Sequence, residues 1–377
     1  MLTRLEVNGF KNLLEFEVDF GPFTCIAGPN GAGKSNIFDA IRFLSLLADH
    51  TLMEAALHIR GTDPSASDIR DIFWTDGKHR LDRLRIAAEM VVSQQVSDDF
   101  GRPAQASSTY LRYQIEIGYE EPSKHGILGR LALISEELKY ITEGDAFSRL
   151  RFAHNANTWR NSCVINRRRT KSGYISTEKS TDGQTEILVH QEGSAGKPQR
   201  APAASAPRTI VATSNTSSTP TILSARREMQ SWRMLSLEPT AMRGADRFQD
   251  DPHVTANGAH LPATLYRLAQ TADVQGYDGK NVYARIASRL SDLVPIIDTT
   301  VTKDDVRQLL ILEVEEEAGV KLPTRSLSDG TLRFLTLCVL AEDPEAQGLI
   351  CMEEPENGIH PAKIKAMVGL LRDLVVD

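Results

Sequence analysis

Apolar and polar residues alternate over Leu2–Val7 and again over Leu14–Phe20, with Asn8-Gly9 and Lys11-Asn12 between them, which predicts two strands joined by a turn. Phe23–Ala27 is a continuous apolar run, the pattern of a strand buried in the centre of a sheet. At Ile37, Phe38, Ile41, Leu44 and Leu47 the spacing changes to three and four, which predicts an amphipathic helix. Leu81–Val91, Tyr110–Tyr119 and Leu131–Ile141 predict three antiparallel strands with one solvated face. The composition shifts between about Asn166 and Pro220, and Gly193–Pro207, rich in Gly, Ala, Ser and Pro, reads as a mobile loop or hairpin tip. Helices are expected over Leu223–Arg233, Ala263–Gln270, Val282–Asp292 and from Leu332 onward, strands over Leu309–Val314 and Leu349–Met352, and a last helix over Ala362–Val376. The chain reads as α/β in three segments: an N-terminal lobe over 1–150 that includes an antiparallel β-layer, a mostly helical insertion over 151–306, and a C-terminal lobe over 307–377.

Between the apolar run and the first helix stands Gly28-Pro29-Asn30-Gly31-Ala32-Gly33-Lys34-Ser35, followed by Asn36. This fits G-x-x-x-x-G-K-[ST] at every defined position, in the order strand, glycine loop, helix. Glycines let backbone N–H groups approach a phosphate with no Cβ in the way, and the helix N-terminus adds partial positive charge. Lys34 would supply a point charge to the β- and γ-phosphates of a nucleotide, and Ser35 Oγ a ligand to Mg²⁺. Far along the chain, Leu349-Ile350-Cys351-Met352 ends in the acids Glu353 and Glu354. Beside a phosphate loop, such a strand would place Glu353 on Mg²⁺ or its water shell and Glu354 near an attacking water as general base. Ser326-Leu327-Ser328-Asp329-Gly330-Thr331 heads another apolar helix, a second anion-binding arrangement.

These segments resemble the ATPase heads of the SMC, RecF and OLD group within the ABC superfamily. Leu5–Leu13 is similar to the group's opening strand and turn, Gly28–Asn36 to its phosphate loop, Ser328-Asp329-Gly330 to its signature motif, and Glu353–Pro361 to its Walker B and D-loop segment. Ile134–Leu138 and Arg226–Pro239 resemble a bacterial subset of AAA-family or SMC-like ATPases, some of them phage-defence components. The resemblance implies a P-loop ABC-type head that hydrolyses ATP with Mg²⁺ and forms an ATP-dependent homodimer. In it, Ser328 and Gly330 of one copy meet the nucleotide held by Gly28, Pro29, Asn30, Gly31, Ala32, Gly33, Lys34, Ser35 and Asn36 of the other. It also implies work on DNA or with a nuclease or effector partner; a transporter's nucleotide-binding subunit and an ATP-gated scaffold are the competing classes. The sequence departs from the pattern in its Leu-Ser-Asp-Gly-Thr signature and in Glu353 where Asp is commoner. Gln308 and Gln275 stand as Q-loop candidates by order, and no switch histidine precedes Asp377, so a truncated C-terminal lobe is expected.

A net charge of −7 argues against a chain that coats nucleic acid or an anionic membrane with its whole surface. The charged start Met1–Glu6 is unlike a signal peptide, and no run approaches the roughly 20 apolar residues of a membrane span, so a cytoplasmic protein without a membrane partner is expected. Cys25, Cys163, Cys338 and Cys351 lack metal-ligand spacing and read as reduced core thiols. Arg167–Lys171 reads as a solvated hairpin, with contact to a phosphate backbone as the second reading. His360 is expected to cap the helix that follows it, and Trp232 to anchor packing.

Overall fold

The first strand pair forms as the alternation dictates, and a larger sheet grows from it. In the computed structural model, which describes residues 1–59, 68–121, 129–167, 172–192, 196–346 and 348–375, the chain divides into Met1–Trp232 and Arg233–Asp377. The sequence-based segments 1–150, 151–306 and 307–377 cut across these two units. In the first unit the strands are β1 (Leu2–Asn8), β2 (Phe16–Asp19), β3 (Arg83–Val91), β4 (Gln95–Ser97), β5 (Pro103–Gln105), β6 (Tyr110–Glu120), β7 (Arg130–Tyr140), β8 (Ile175–Lys179), β9 (Thr185–Val189) and β10 (Gln199–Pro202). Eight of them make an antiparallel sheet in the order β10-β9-β8-β7-β6-β3-β1-β2, while β4 and β5 pair separately. The β-layer is therefore wider than expected: β8, β9 and β10 extend it through a stretch read as featureless, and β10 lies inside the expected Gly193–Pro207 loop.

On β1 the alternation sorts the two faces. Leu5 and Val7 are buried, whereas Arg4 and Glu6 stand on the opposite face in a ladder of ion pairs that crosses neighbouring strands. Arg4 meets Asp19 at 2.8 Å, Arg112 meets Glu6 at 2.6 Å, and the same Arg112 reaches the buried Glu89 at 3.2 Å. The Arg112 guanidinium, with Arg4 beside it, holds the Glu6 carboxyl down at about 2. Glu136 on β7 is the opposite case. Burial pushes its carboxyl up to about 7, although it accepts hydrogen bonds from the N–H groups of Ile210 and Val211 at 2.7 and 3.1 Å.

Phe23–Ala27 does not form the expected buried strand. No strand among the described residues pairs with it, Phe23 is 38% exposed, and Cys25 is exposed. A continuous apolar run records hydrophobicity, but a strand exists only through a partner's hydrogen bonds. The core-thiol reading holds for Cys338 and Cys351, whose thiols burial pushes up to about 12, and fails for exposed Cys25 and half-buried Cys163.

The helix Lys34–Leu47 turns Ile37, Ile41, Phe43, Leu44 and Leu47 into the core, where Phe10 and Phe43 stack at 5.7 Å. Its far end is tied in by donors. Thr209 Oγ1 donates to the Leu47 carbonyl, Arg226 Nε to that of Ala48, and Arg226 also pairs with Asp49 at 3.0 Å. Positive charge at this end suits the helix dipole. Arg226 belongs to the helix Pro220–Gln230, beyond which Trp232 is buried as an anchor, its Nε1–H donating to Glu228.

The second unit holds β11 (Arg233–Leu235), β12 (Asp246–Arg247), β13 (Ile296–Asp304), β14 (Leu309–Glu316), β15 (Lys321–Pro323) and β16 (Ile350–Met352). β11 and β16 form a parallel pair, and the others form an antiparallel sheet centred on β14. The helices Leu261–Val274, Lys280–Ser291 and Asp329–Glu342 bury Leu265, Ile286, Leu290, Leu332 and Leu335 in one core with Leu312 of β14. Asp329–Glu342 is buried almost all round from Phe334 to Leu340, as befits a helix without a polar face. Among the described residues, no helix is long and apolar enough to cross a membrane.

Candidate functional site

The phosphate loop sits in the first unit and is braced from beneath by the opening turn. Gly31 and Gly33 have φ of +82° and +93°, and Lys34 begins the helix. A Cβ on Gly33 would fall 2.4 Å from the Asn12 side-chain amide, so glycine is required here by both torsion and space. Asn12 Oδ1 in turn accepts from Asn36 Nδ2 at 2.6 Å, and Lys11 Nζ meets Asp39 of the same helix at 2.8 Å. Asn12 was legible only as part of the opening-turn resemblance; its position shows how that turn braces the glycine loop.

The helix end is open chemically. It has no side-chain cap and no acid in its first turn, and Gly28–Ala32 are exposed while Gly33–Asn36 are half-buried. Lys34 Nζ donates to the carbonyls of Gly28 and Pro29 at 2.7 and 2.9 Å, which folds the ammonium back over the loop. A helix start without a side-chain cap, its dipole and an ammonium on one loop fit a nucleotide's phosphates. Ser35, in the first turn, fits the hydroxyl ligand of a phosphate-bound Mg²⁺.

The remaining predicted residues lie in the second unit. Glu353 and Glu354 follow β16 directly and are both exposed. Glu354 has φ +46°, a left-handed backbone that is uncommon for a residue with a side chain and concentrates at functional turns. Ser328 is the N-cap of Asp329–Glu342, its Oγ accepting from Thr331 N–H at 3.2 Å. Asp329 is paired to Arg243 at 2.5 Å, and the same guanidinium donates to the Leu327 carbonyl. A Cβ on Gly330 would lie 3.2 Å from the Gly358 carbonyl, so the signature and the segment after the double acid are in close backbone contact. A groove of about 530 Å³ opens there, lined by Ser328, Gly330, Thr331, Phe334, His360 and Lys363 among others. His360 caps the turn Pro361–Lys363 as expected, Nδ1 accepting from Ala362 N–H at 3.3 Å. Gln308 sits in the β13–β14 turn with φ +54°, and Gln275 closes the helix Leu261–Val274. Asp246, Asp250 and His260 bring possible metal-ligating atoms within 4.8 Å of one another. Both Asp246 oxygens are already engaged, by His260 Nδ1 and by Ala263 N–H at 2.9 Å each, so a helix-start brace accounts for that group.

Comparison with known proteins finds family matches at both ends of the chain. Residues 1–57 match the family described as "RecF/RecN/SMC N terminal domain", and residues 194–374 the family described as "AAA domain, putative AbiEii toxin, Type IV TA system". The DNA replication and repair protein RecF of Parabacteroides distasonis is 45% identical over 51 residues, which are 13% of this chain and 14% of that protein. The OLD nuclease of Thermus scotoductus is 51% identical over 41 residues, 11% of this chain and 8% of that protein. The crystal structure of an Smc head bound to the C-terminal winged-helix domain of ScpA superimposes with a TM-score of 0.47 at 14% identity, covering 99% of this chain and 86% of that one. The chain thus spans no more than 14% of the length of these two curated relatives. The class is that of P-loop ATPase heads. Within it, this chain is similar to the heads of the SMC, RecF and OLD group.

Proposed function

We propose that this chain binds ATP on Gly28–Asn36, hydrolyses it with Glu354 as general base, and uses the nucleotide to pair two copies that act on DNA or with a nuclease or effector partner. The observation that carries the reading is the uncapped, acid-free start of the helix at Lys34, opening from a loop whose glycines have left-handed torsions. Lys34 Nζ leaves the Gly28 and Pro29 carbonyls for β- and γ-phosphate oxygens, exchanging two neutral acceptors for charged ones. Glu354 takes a proton from water as its oxygen approaches the γ-phosphorus, and the bond from that phosphorus to the bridging oxygen breaks with its electrons leaving on ADP. Mg²⁺, when bound, neutralises phosphate charge, and Ser35 and Glu353 are the residues that would hold it or its water.

In the paired state, Ser328 Oγ and the N–H groups near Gly330 of one copy meet the γ-phosphate held by the other. Donors that touch only the triphosphate favour the pair before hydrolysis and release it afterwards. Likeness to RecF and to the OLD nuclease supports the nucleic-acid side of the reading.

Glu354→Gln is the test. It should bind ATP as the wild type does, turn over roughly 10²–10⁴-fold more slowly, and sediment as a dimer when ATP is present. Unchanged turnover would move the general base elsewhere, and ATP hydrolysis measured with and without DNA tests the partner.

A further inference from the structure

Residues 146–177 contain no aspartate or glutamate, in a chain whose net charge is −7. Four arginines of this stretch, Arg149, Arg151, Arg160 and Arg167, are among the described residues. The helix Glu143–Arg149 and the turn Ala156–Arg160 are pinned to the first unit by Ala146, Leu150 and Val164, which share a small core with Tyr110 and Ile141. The first turn of that helix exposes Glu143 and Asp145; beyond it, from residue 146 onward, the charged side chains the segment shows to solvent are basic. Phe147 is 72% exposed, and the Arg160 guanidinium lies 5.4 Å from its ring centroid. In the same segment Phe152, His154 and Trp159 cluster with one another, their ring centroids 5.2 to 5.5 Å apart.

The arginines differ in how far they are already used. Arg149 is committed to the buried Glu89. Arg151 has a side chain 65% exposed and stands 3.7 Å from Asp19, and Arg167 is exposed. Arg160 Nη1 is buried and has no hydrogen-bond partner among the described residues. Guanidinium forks match phosphate oxygens, and an exposed ring with an arginine over it offers the mixed stacking and cation–π surface that unpaired bases use. A membrane-binding element would need an apolar stripe along a helix face, and Glu143–Arg149 shows a single exposed aromatic instead.

We propose that this arm is a docking surface for single-stranded nucleic acid, with Arg151, Arg160 and Arg167 on phosphates and Phe147 stacking a base. The assignment rests on the nucleic-acid side of the function proposed above and is independent of ATP turnover.

Fluorescence anisotropy with a labelled oligothymidylate, and with a duplex of equal length, tests it on the whole chain. Three phosphate contacts predict a slope of log K against log salt of about −2, from roughly −0.7 for each phosphate on a single strand. The variant Arg151→Gln/Arg160→Gln/Arg167→Gln should lose most of that slope while its circular dichroism and ATP affinity stay those of the wild type. The pair Arg151→Gln/Arg167→Gln, both on exposed side chains, should lose about two-thirds of it and keeps the test valid should Arg160 prove necessary for folding. Phe147→Ala should weaken single-strand binding roughly 5- to 150-fold and leave the duplex unaffected. Oligothymidylate binding that persists unchanged in the arginine variants would overturn this surface while leaving the nucleic-acid reading intact. A wild-type chain that binds neither strand form would remove both.

Discussion

Two helices of 14 residues, Lys34–Leu47 and Asp329–Glu342, begin at the two anion-binding motifs, and they begin differently. The first starts from Gly33, without a side-chain acceptor and without an acid in its first turn. The second starts from Ser328, whose hydroxyl satisfies the Thr331 N–H, and carries Asp329 in its first turn, paired to Arg243. An open end holds a phosphate by itself, because no side chain caps its first N–H groups. A self-capped end is already satisfied and gains from an anion only when one is brought to it. In the function proposed above, the first helix start would hold the nucleotide and the second would meet its γ-phosphate.

Three substitutions sharpen or break this contrast. Lys34→Ala removes the charge that completes the open end, and titration with a fluorescent ATP analogue should show affinity lower by roughly 10- to 150-fold, the worth of a charge-assisted hydrogen bond. Gly33→Ala puts a Cβ against Asn12 at φ +93° and should cost about 1–2 kcal/mol of folding stability from torsion alone, read by denaturant unfolding. Adding Asn12→Ala should recover only the part due to overlap. Ser328→Ala should cost about 1 kcal/mol as a lost cap and leave nucleotide affinity of the isolated chain unchanged. Should Ser328→Ala weaken ATP binding as much as Lys34→Ala does, the two helix starts are not distinct in role.

What could be read ahead of the structure was what is local. The phosphate loop, the cap at Ser328, the cap at His360 and the helices near Leu223, Ala263 and Val282 are set by residues within a turn or two of each other, so spacing reveals them. The misreadings concern pairing across distance. Phe23–Ala27 has a strand's composition and no strand partner among the described residues, whereas β10, with Gln199, Arg200 and Pro202, has a loop's composition and is a strand because β9 offers it hydrogen bonds. Asn12 escaped for a related reason. Nothing near it in sequence shows that its amide fills the space a side chain on Gly33 would occupy. Arg167 lies at the edge of the basic run assigned to a hairpin, and the rest of that run, 168–171, lies outside the described residues.

The left-handed torsion at Glu354 makes that position a contested one for the chain. Glycine would relax the backbone there and asparagine would tolerate it better, yet either would move or delete the carboxylate at the end of the Met352-Glu353 segment. With Glu354 as the general base proposed above, thermal resilience and turnover pull in opposite directions at a single dihedral angle. Variants selected for heat tolerance alone would be expected to drift toward a sturdier, slower protein at this residue.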